Sequence, residues 1–221
     1  MLKVVYECSF QGDRDENLDR YGHYQGINWS FSYVIDGFDI AEPHYVDSLE
    51  SSLRDITSLP EKSTREELLN QIEKAITMEH EHKGKASVAF VLCVDDDMCF
   101  LTAGDTRIYR LESQNRTLDH SVAQDLVNQG KAPEKTLFKH PYRRYLKRKL
   151  QRGSGLQAIE LSETYRIESV MLCSDGVWSC FESDDDVYKS MATGGEDLLD
   201  TAINSKDRNR DNMTVLHLAP F

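Results

Sequence analysis

Positions 4 to 10 alternate, with Val4, Tyr6, Cys8 and Phe10 on one parity and polar groups filling part of the other, the two-residue period of a strand with one buried face. Gln11 to Arg20 is too charged for a core and predicts a loop. Trp29 to Ile35 reads as the next strand, running into Asp36-Gly37, a turn dipeptide. From Pro43 to about Leu59 the apolar residues Val46, Leu49, Leu53 and Ile56 recur at helical spacing. Ser63-Thr64-Arg65-Glu66 has the form of a capping box opening a second helix, whose apolar stripe is Leu68, Leu69, Ile72, Ala75 and Ile76. Ser87 to Val94 is apolar on both parities and predicts a strand covered on both faces. Asp95-Asp96-Asp97 predicts a hairpin turn, followed by strands at Met98 to Thr102 and Arg107 to Leu111. Ser121 to Gln129 reads as a helix stopped by Gly130, and Tyr142 to Leu150 as a basic helix. Strands at Gln157 to Leu161 and Ser169 to Cys173, helices at Asp184 to Met191 and Glu196 to Asn204, and a strand at Met213 to Leu218 complete the pattern.

That order, with doubly covered strands joined by short turns, predicts an α+β fold. The expected architecture is a four-layer α-β-β-α sandwich, two mainly antiparallel sheets flanked by helices, in a single domain spanning 1–221. No internal repeat or low-complexity linker interrupts it, and no Gly-x-Gly-x-x-Gly supports a parallel dinucleotide-binding sheet. The formal net charge of −12 repels phosphate backbones, so broad nucleic-acid binding is not expected. No apolar run approaches the ~20 residues that span a bilayer, and the opening Met1-Leu2-Lys3-Val4-Val5-Tyr6-Glu7 reaches an acid too soon for a secretory signal. Five cysteines, an odd number with no Cys-x-x-Cys pair, read as reduced thiols in a cytoplasmic protein rather than a zinc site.

The chemistry-bearing residues are aspartates placed after apolar strands. Asp36-Gly37 follows Ile35, Asp105 follows Ala103-Gly104, Asp175-Gly176 follows Cys173-Ser174, and Asp211-Asn212 precedes the last strand. Each Asp-Gly alone is an ordinary turn signal. Strand ends, however, are rigid and bring distant carboxylates together. Several anions share a dry site only with a cation between them, and hard divalent ions take oxygen ligands. Two such ions roughly 3.5–4 Å apart clamp a phosphate and activate a water.

The neighbouring residues narrow this further. Gly104-Asp105-Thr106-Arg107, Ser174-Asp175-Gly176-Val177-Trp178 and Asp211-Asn212-Met213-Thr214-Val215 occur in that order. The set resembles the metal-dependent Ser/Thr protein phosphatases of type 2C, the PPM family, in its short bacterial form. That family's motifs read Gly-Asp-Ser-Arg, Ser-Asp-Gly-Leu-Trp and Asp-Asn-Ile/Met-Thr. Gly12-Asp13-Arg14 through Asn17-Leu18-Asp19 resembles the family's Gly-x-Arg…Asn-Glu-Asp segment, Asp36-Gly37 stands where its Asp-Gly-His-Gly begins, and Leu118-Asp119-His120-Ser121 and His140-Pro141 also match short members. The resemblance covers nearly the whole chain.

It implies a phosphoserine and phosphothreonine phosphatase using two Mn²⁺ or Mg²⁺ ions and a weaker third. Asp36 would bridge both ions, Gly37 would lend its carbonyl, and Asp175 and Asp211 would complete their ligands. Asp105 would hold the third ion with Asp175 shared. Asp19 would orient the attacking water, and Arg14 would grip the substrate phosphate, for which a guanidinium fork is suited. The implied partner is a phosphoprotein, a Ser/Thr kinase or its targets, with no nucleic acid and no membrane.

Two positions depart from the family pattern: Leu18 replaces a glutamate, and Phe38-Asp39 replaces His-Gly. Leucine accepts no hydrogen bond from a bound water, and Phe38 cannot protonate a leaving oxygen; His44, nearby, reads as a surface residue. These departures support an alternative, a catalytically inactive relative that binds phosphoproteins or regulatory partners. The remaining features have structural readings. The basic stretch Tyr142 to Lys149 could dock an acidic partner, a phosphorylated kinase loop or nucleic acid, but reads first as an exposed helix face with Tyr142, Tyr145, Leu146 and Leu150 packed inward. Asp184-Asp185-Asp186 reads as a helix N-terminus, and Trp178 as core.

Overall fold

The computed structural model describes residues 1–38, 43–77, 83–205 and 210–221; Asp39 lies outside them. The strands are β1 (Leu2–Phe10), β2 (Asp19–Gln25), β3 (Trp29–Phe38), β4 (Lys85–Val94), β5 (Asp97–Ala103) and β6 (Arg107–Arg110). They continue as β7 (Asn115–Arg116), β8 (Leu150–Gln151), β9 (Glu160–Leu161), β10 (Tyr165–Arg166), β11 (Val170–Cys173) and β12 (Met213–Pro220). The helices are α1 (Pro43–Arg54), α2 (Arg65–Thr77), α3 (Val122–Asn128), α4 (Asp175–Trp178), α5 (Asp184–Met191) and α6 (Gly195–Ile203).

One sheet has the order β1-β12-β11-β6-β7 and the other β10-β5-β4-β3-β2, with β8 added to β4 and β9 to β5. Every described strand pair is antiparallel. The double apolar parity of β4 explains the stacking. Val88, Phe90 and Leu92 point to one side, where they meet Leu49 and Leu53 of α1 and Leu68 and Ile72 of α2. Ala89, Val91 and Cys93 point to the other and meet Val170, Leu172, Leu216 and Leu218 of the facing sheet. Beyond that sheet, Met171, Cys173 and Val215 pack against Val177, Trp178, Val187 and Leu198 of the second helical layer. Three apolar layers between four structural ones make the expected α-β-β-α sandwich.

Local readings differ from the structure in five places. Gln11 to Arg20 is not wholly loop, because β2 begins at Asp19; its polar residues are tolerated on an edge strand paired only to β3. Asp36-Gly37 is not a turn but continues β3, opposite Ser87 and Ala86 of β4. The capping box lies one residue later than expected, with Thr64 and Glu67 exchanging hydrogen bonds. Gln157 to Leu161 is a short 3-10 turn, Leu156–Ala158, followed by the two-residue β9.

The expected basic helix at Tyr142 to Leu150 does not form. Pro141–Arg144 makes one 3-10 turn. The chain then extends: Val122 N–H bonds to Tyr145 O, Lys147 N–H bonds to His120 O, and Leu146 bridges Ser121. Long-range backbone pairing takes the groups a helix would have used. Leu150 is buried and Leu146 half-buried, but Tyr142 and Tyr145 are 49% and 63% exposed, so neither tyrosine packs inward.

Candidate metal centre

Antiparallel pairing of β2 with β3 places Asp19 directly opposite Asp36. Two carboxylates on one cross-strand pair repel unless a proton or a cation relieves them. The other aspartates are delivered by strand ends: Asp105 after β5, Asp175 at the start of α4 directly beyond β11, and Asp211 just before β12. A cleft of about 1180 Å³ is lined by Asp36, Gly37, Asp105, Asp175, Asp211 and Arg14. The departing residues Leu18 and Phe38 line it as well. Asp19 is buried, 3% exposed. The seven site residues expected from sequence are thus gathered in one place, while His44 is exposed, as its surface reading required.

The carboxylates are held by a frame of hydroxyls and backbone groups. Ser174 Oγ donates to Asp19 Oδ2 (2.8 Å) and accepts the Thr214 N–H (3.0 Å), tying β2 to β12. Ser87 Oγ accepts the N–H groups of Asp105 (2.8 Å) and Thr106 (2.7 Å), fixing the turn after β5. That turn needs a glycine: Gly104 has φ +98°, and a Cβ there would stand 2.3 Å from Ser87 Oγ. Gly176 answers a different constraint, since a Cβ would stand 2.1 Å from the Asn212 carbonyl oxygen where α4 passes the start of β12. Asn212 accepts the Leu18 N–H (2.8 Å) and donates to the Gln11 and Glu16 carbonyls (2.7 and 3.0 Å), stapling the 11–18 loop over the site.

Electrostatics mark the cluster as short of positive charge. Burial and the fields of Asp19, Asp175, Asp105 and Asp211 push the Asp36 carboxyl well above the usual range. Burial and then Asp175 and Asp119 do the same to Asp105, with Arg143 and Arg107 opposing. Asp19 is pushed up to about 7 by burial, with the Ser174 and Thr214 hydrogen bonds opposing, and its Oδ1 has no partner among the described residues. Two arginines supply part of the missing charge. Arg14 Nε and Nη2 donate to the two oxygens of Asp211 (2.9 and 2.6 Å). Arg143 Nη1 donates to Asp175 Oδ2 (2.7 Å). With those carboxylates turned to arginines, no three His, Cys, Asp or Glu side chains among the described residues converge as a finished ion cage. The donor set nevertheless fits a hard divalent cation: it is all oxygen, crowded, partly desolvated, and keeps one buried carboxylate oxygen unsatisfied.

Arg143 is a site residue that sequence reasoning missed. The basic stretch that contains it was the available signal, but its partner lies 32 positions away. Ser87 was missed for the same reason, standing inside an apolar strand with its bonds to residues 18 and 19 positions on. Two motif residues, Arg107 and Trp178, support the site from beneath. Arg107, fully buried, donates to both oxygens of Asp119 (2.8 Å each), and its guanidinium stacks 3.5 Å from the Trp178 ring centroid. Trp178 Nε1 in turn donates to the Asp105 carbonyl (2.9 Å). Trp178 is core, as expected, and Asp184 opens α5, but Asp184 also binds Arg107, Tyr109 and Arg116. The spacing Cys8-x5-Arg14 resembles a cysteine-dependent phosphatase loop. Cys8, however, lies in mid-β1 and packs with the apolar residues under α4 and α6, away from the cleft.

No family model and no curated protein matches the chain. Solved structures do match it, over nearly all of both chains. A serine/threonine phosphatase of S. agalactiae superposes with a TM-score of 0.79 at 18% identity, covering 100% of each chain. The PPM Ser-Thr phosphatase MsPP of Mycobacterium smegmatis, in complex with cacodylate, gives 0.74 at 22%, covering 99% of each. The catalytic domain of the phosphatase PstP, in complex with two manganese ions, gives 0.70 at 18%, covering 99% of this chain and 97% of that one. The chain therefore has the fold of the PPM-type Ser/Thr phosphatases.

Proposed function

We propose that the protein is a metal-dependent phosphatase acting on phosphoserine and phosphothreonine in proteins. The observation that carries this reading is the set of five aspartates converging from both sheets, with Asp36 and Asp105 burdened by their neighbours' charge and Asp19 Oδ1 unsatisfied. A structural cluster has no need of that much uncompensated charge. Asp36, the Gly37 carbonyl, Asp175 and Asp211 would hold two Mn²⁺ or Mg²⁺ ions, and Asp105 with Asp175 a weaker third. Bound ions there polarise phosphoryl oxygens and make water a competent nucleophile at neutral pH. Asp19, fixed by Ser174, would offer its unpartnered Oδ1 as an acceptor to orient the attacking water. Arg14, now on Asp211, is the fork available to two phosphate oxygens. The manganese in the PstP structure and the cacodylate in MsPP support the same assignment by likeness of fold.

The natural substrate is read as a Ser/Thr kinase or a target of one. The cytoplasm is the proposed compartment, supported by five free cysteines; no described helix is long and apolar enough to cross a membrane. The inactive alternative draws on Leu18 and Phe38, both of which line the cleft, but retention of all five aspartates favours the enzyme. Hydrolysis of p-nitrophenyl phosphate by pure protein separates the two. Turnover is expected with Mn²⁺ and lost in excess EDTA, and equal rates in both would refute the metal-dependent reading.

A further inference from the structure

Two stretches of opposite charge line the cleft beyond the aspartates. The 11–18 loop contributes Asp15 and Glu16; the extended 144–149 segment contributes Arg144, Lys147 and Lys149, with Tyr145 among them. The second stretch is held beside the site by its backbone bonds to residues 120–122 and by Arg143 on Asp175. Its charges are only partly used. Lys147 pairs with Asp125, whereas Arg144 and Lys149 have no carboxylate within ion-pair reach among the described residues. The Tyr145 ring meets Tyr142 edge-on at 5.8 Å and leaves most of its surface open.

On a chain with net charge −12, a cluster of cations lining one cleft offers anions a local attraction that the overall charge does not. Arg143 donates to Asp175 and Arg14 to Asp211, whereas Arg144 and Lys149 pair with none of the site aspartates among the described residues. Both line the same cleft as the aspartates. We propose that this lip selects phosphopeptides carrying acidic residues beside the phosphorylated residue, with Arg144 and Lys149 as the determinants and Tyr145 as the surface on which the peptide lies. The proposal rests on the phosphatase reading above. Asp15 and Glu16 set the opposing preference, and if they governed the cleft, basic flanks would be favoured instead.

The test compares kcat/KM of the Mn²⁺-loaded protein on three phosphothreonine peptides flanked by Glu, Ala or Lys. Exposed ion pairs are individually weak, so the Glu peptide is expected to exceed the Ala peptide by roughly 3- to 10-fold, less at high salt. The Lys peptide should be poorest. R144Q/K149Q should level the series, and R144E/K149E should reverse it. Equal values for the three peptides, a best Lys peptide, or a Glu preference that survives R144E/K149E would each overturn the proposal. Failure to hydrolyse p-nitrophenyl phosphate would sink the phosphatase reading instead. Anisotropy of the same peptides carrying fluorescein then still decides the lip, which is refuted if the Glu peptide binds no tighter than the Lys peptide.

Discussion

Two regions bury charge against Trp178, and they resolve it in opposite ways. On one side, Arg107 is enclosed with Asp119, Asp184, Tyr109 and the indole ring, and each of its nitrogens has a partner. Arg116 closes the network through Asp184. On the other side, above the Asp105 carbonyl that Trp178 binds, Asp19, Asp36 and Asp105 crowd together with no arginine paired to them among the described residues. The first region is neutral within itself and consists of structure. The second is short of counter-charge among the described residues. A buried ion with every partner supplied by the fold is a brace, whereas a buried cluster short of counter-charge is a candidate binding site.

The contrast breaks most visibly at Asp36. Asp36→Asn is expected to lower kcat/KM on p-nitrophenyl phosphate by roughly 10³-fold, several kcal/mol of transition-state stabilisation. The same change should leave the melting temperature in EDTA unchanged or raised, because it removes one repelling carboxylate. A melting temperature that falls would show that Asp36 is a structural brace after all. Arg107→Met should do the reverse: stranding Asp119 in the core costs about 3–5 kcal/mol of stability, read as a lower urea midpoint at similar slope. A midpoint within error of wild type would mean that the network is not the support described above. Arg14→Ala is the smallest effect. Losing a charge-assisted fork should raise KM for a phosphopeptide by about 10-fold, with a smaller change in kcat. Unchanged kcat/KM would remove Arg14 from the phosphate site.

Much of this was legible along the chain. The double apolar parity of Val88 to Val94 announced a strand sandwiched between layers, and β4 has helices under one face and the second sheet under the other. The helical spacing of Val46, Leu49, Leu53 and Ile56 survived because all four are buried on one side. The aspartates after strands were identifiable from their neighbours. Reading failed where a local pattern met a distant competitor. Tyr142 to Leu150 had the composition of a helix, but residues 120–122 claimed its backbone. Asp36-Gly37 had the composition of a turn, but pairing to both β2 and β4 kept it extended.

Sequence by itself determined the layers and singled out the aspartates, because these follow from periodicity and from residues adjacent in the chain, whereas the close approaches that require Gly104 and Gly176 come from Ser87 and Asn212, far along it. Only the tertiary structure decided which charges would be spent on one another. Whether Arg107 turns to Asp119, Arg143 to Asp175 or Arg14 to Asp211 depends on partners 12, 32 and 197 positions apart. It also depends on how much water each pair loses when the sheets close. No local pattern encodes that desolvation, and it alone separates the paired charges of the brace from the unpaired ones of the cleft.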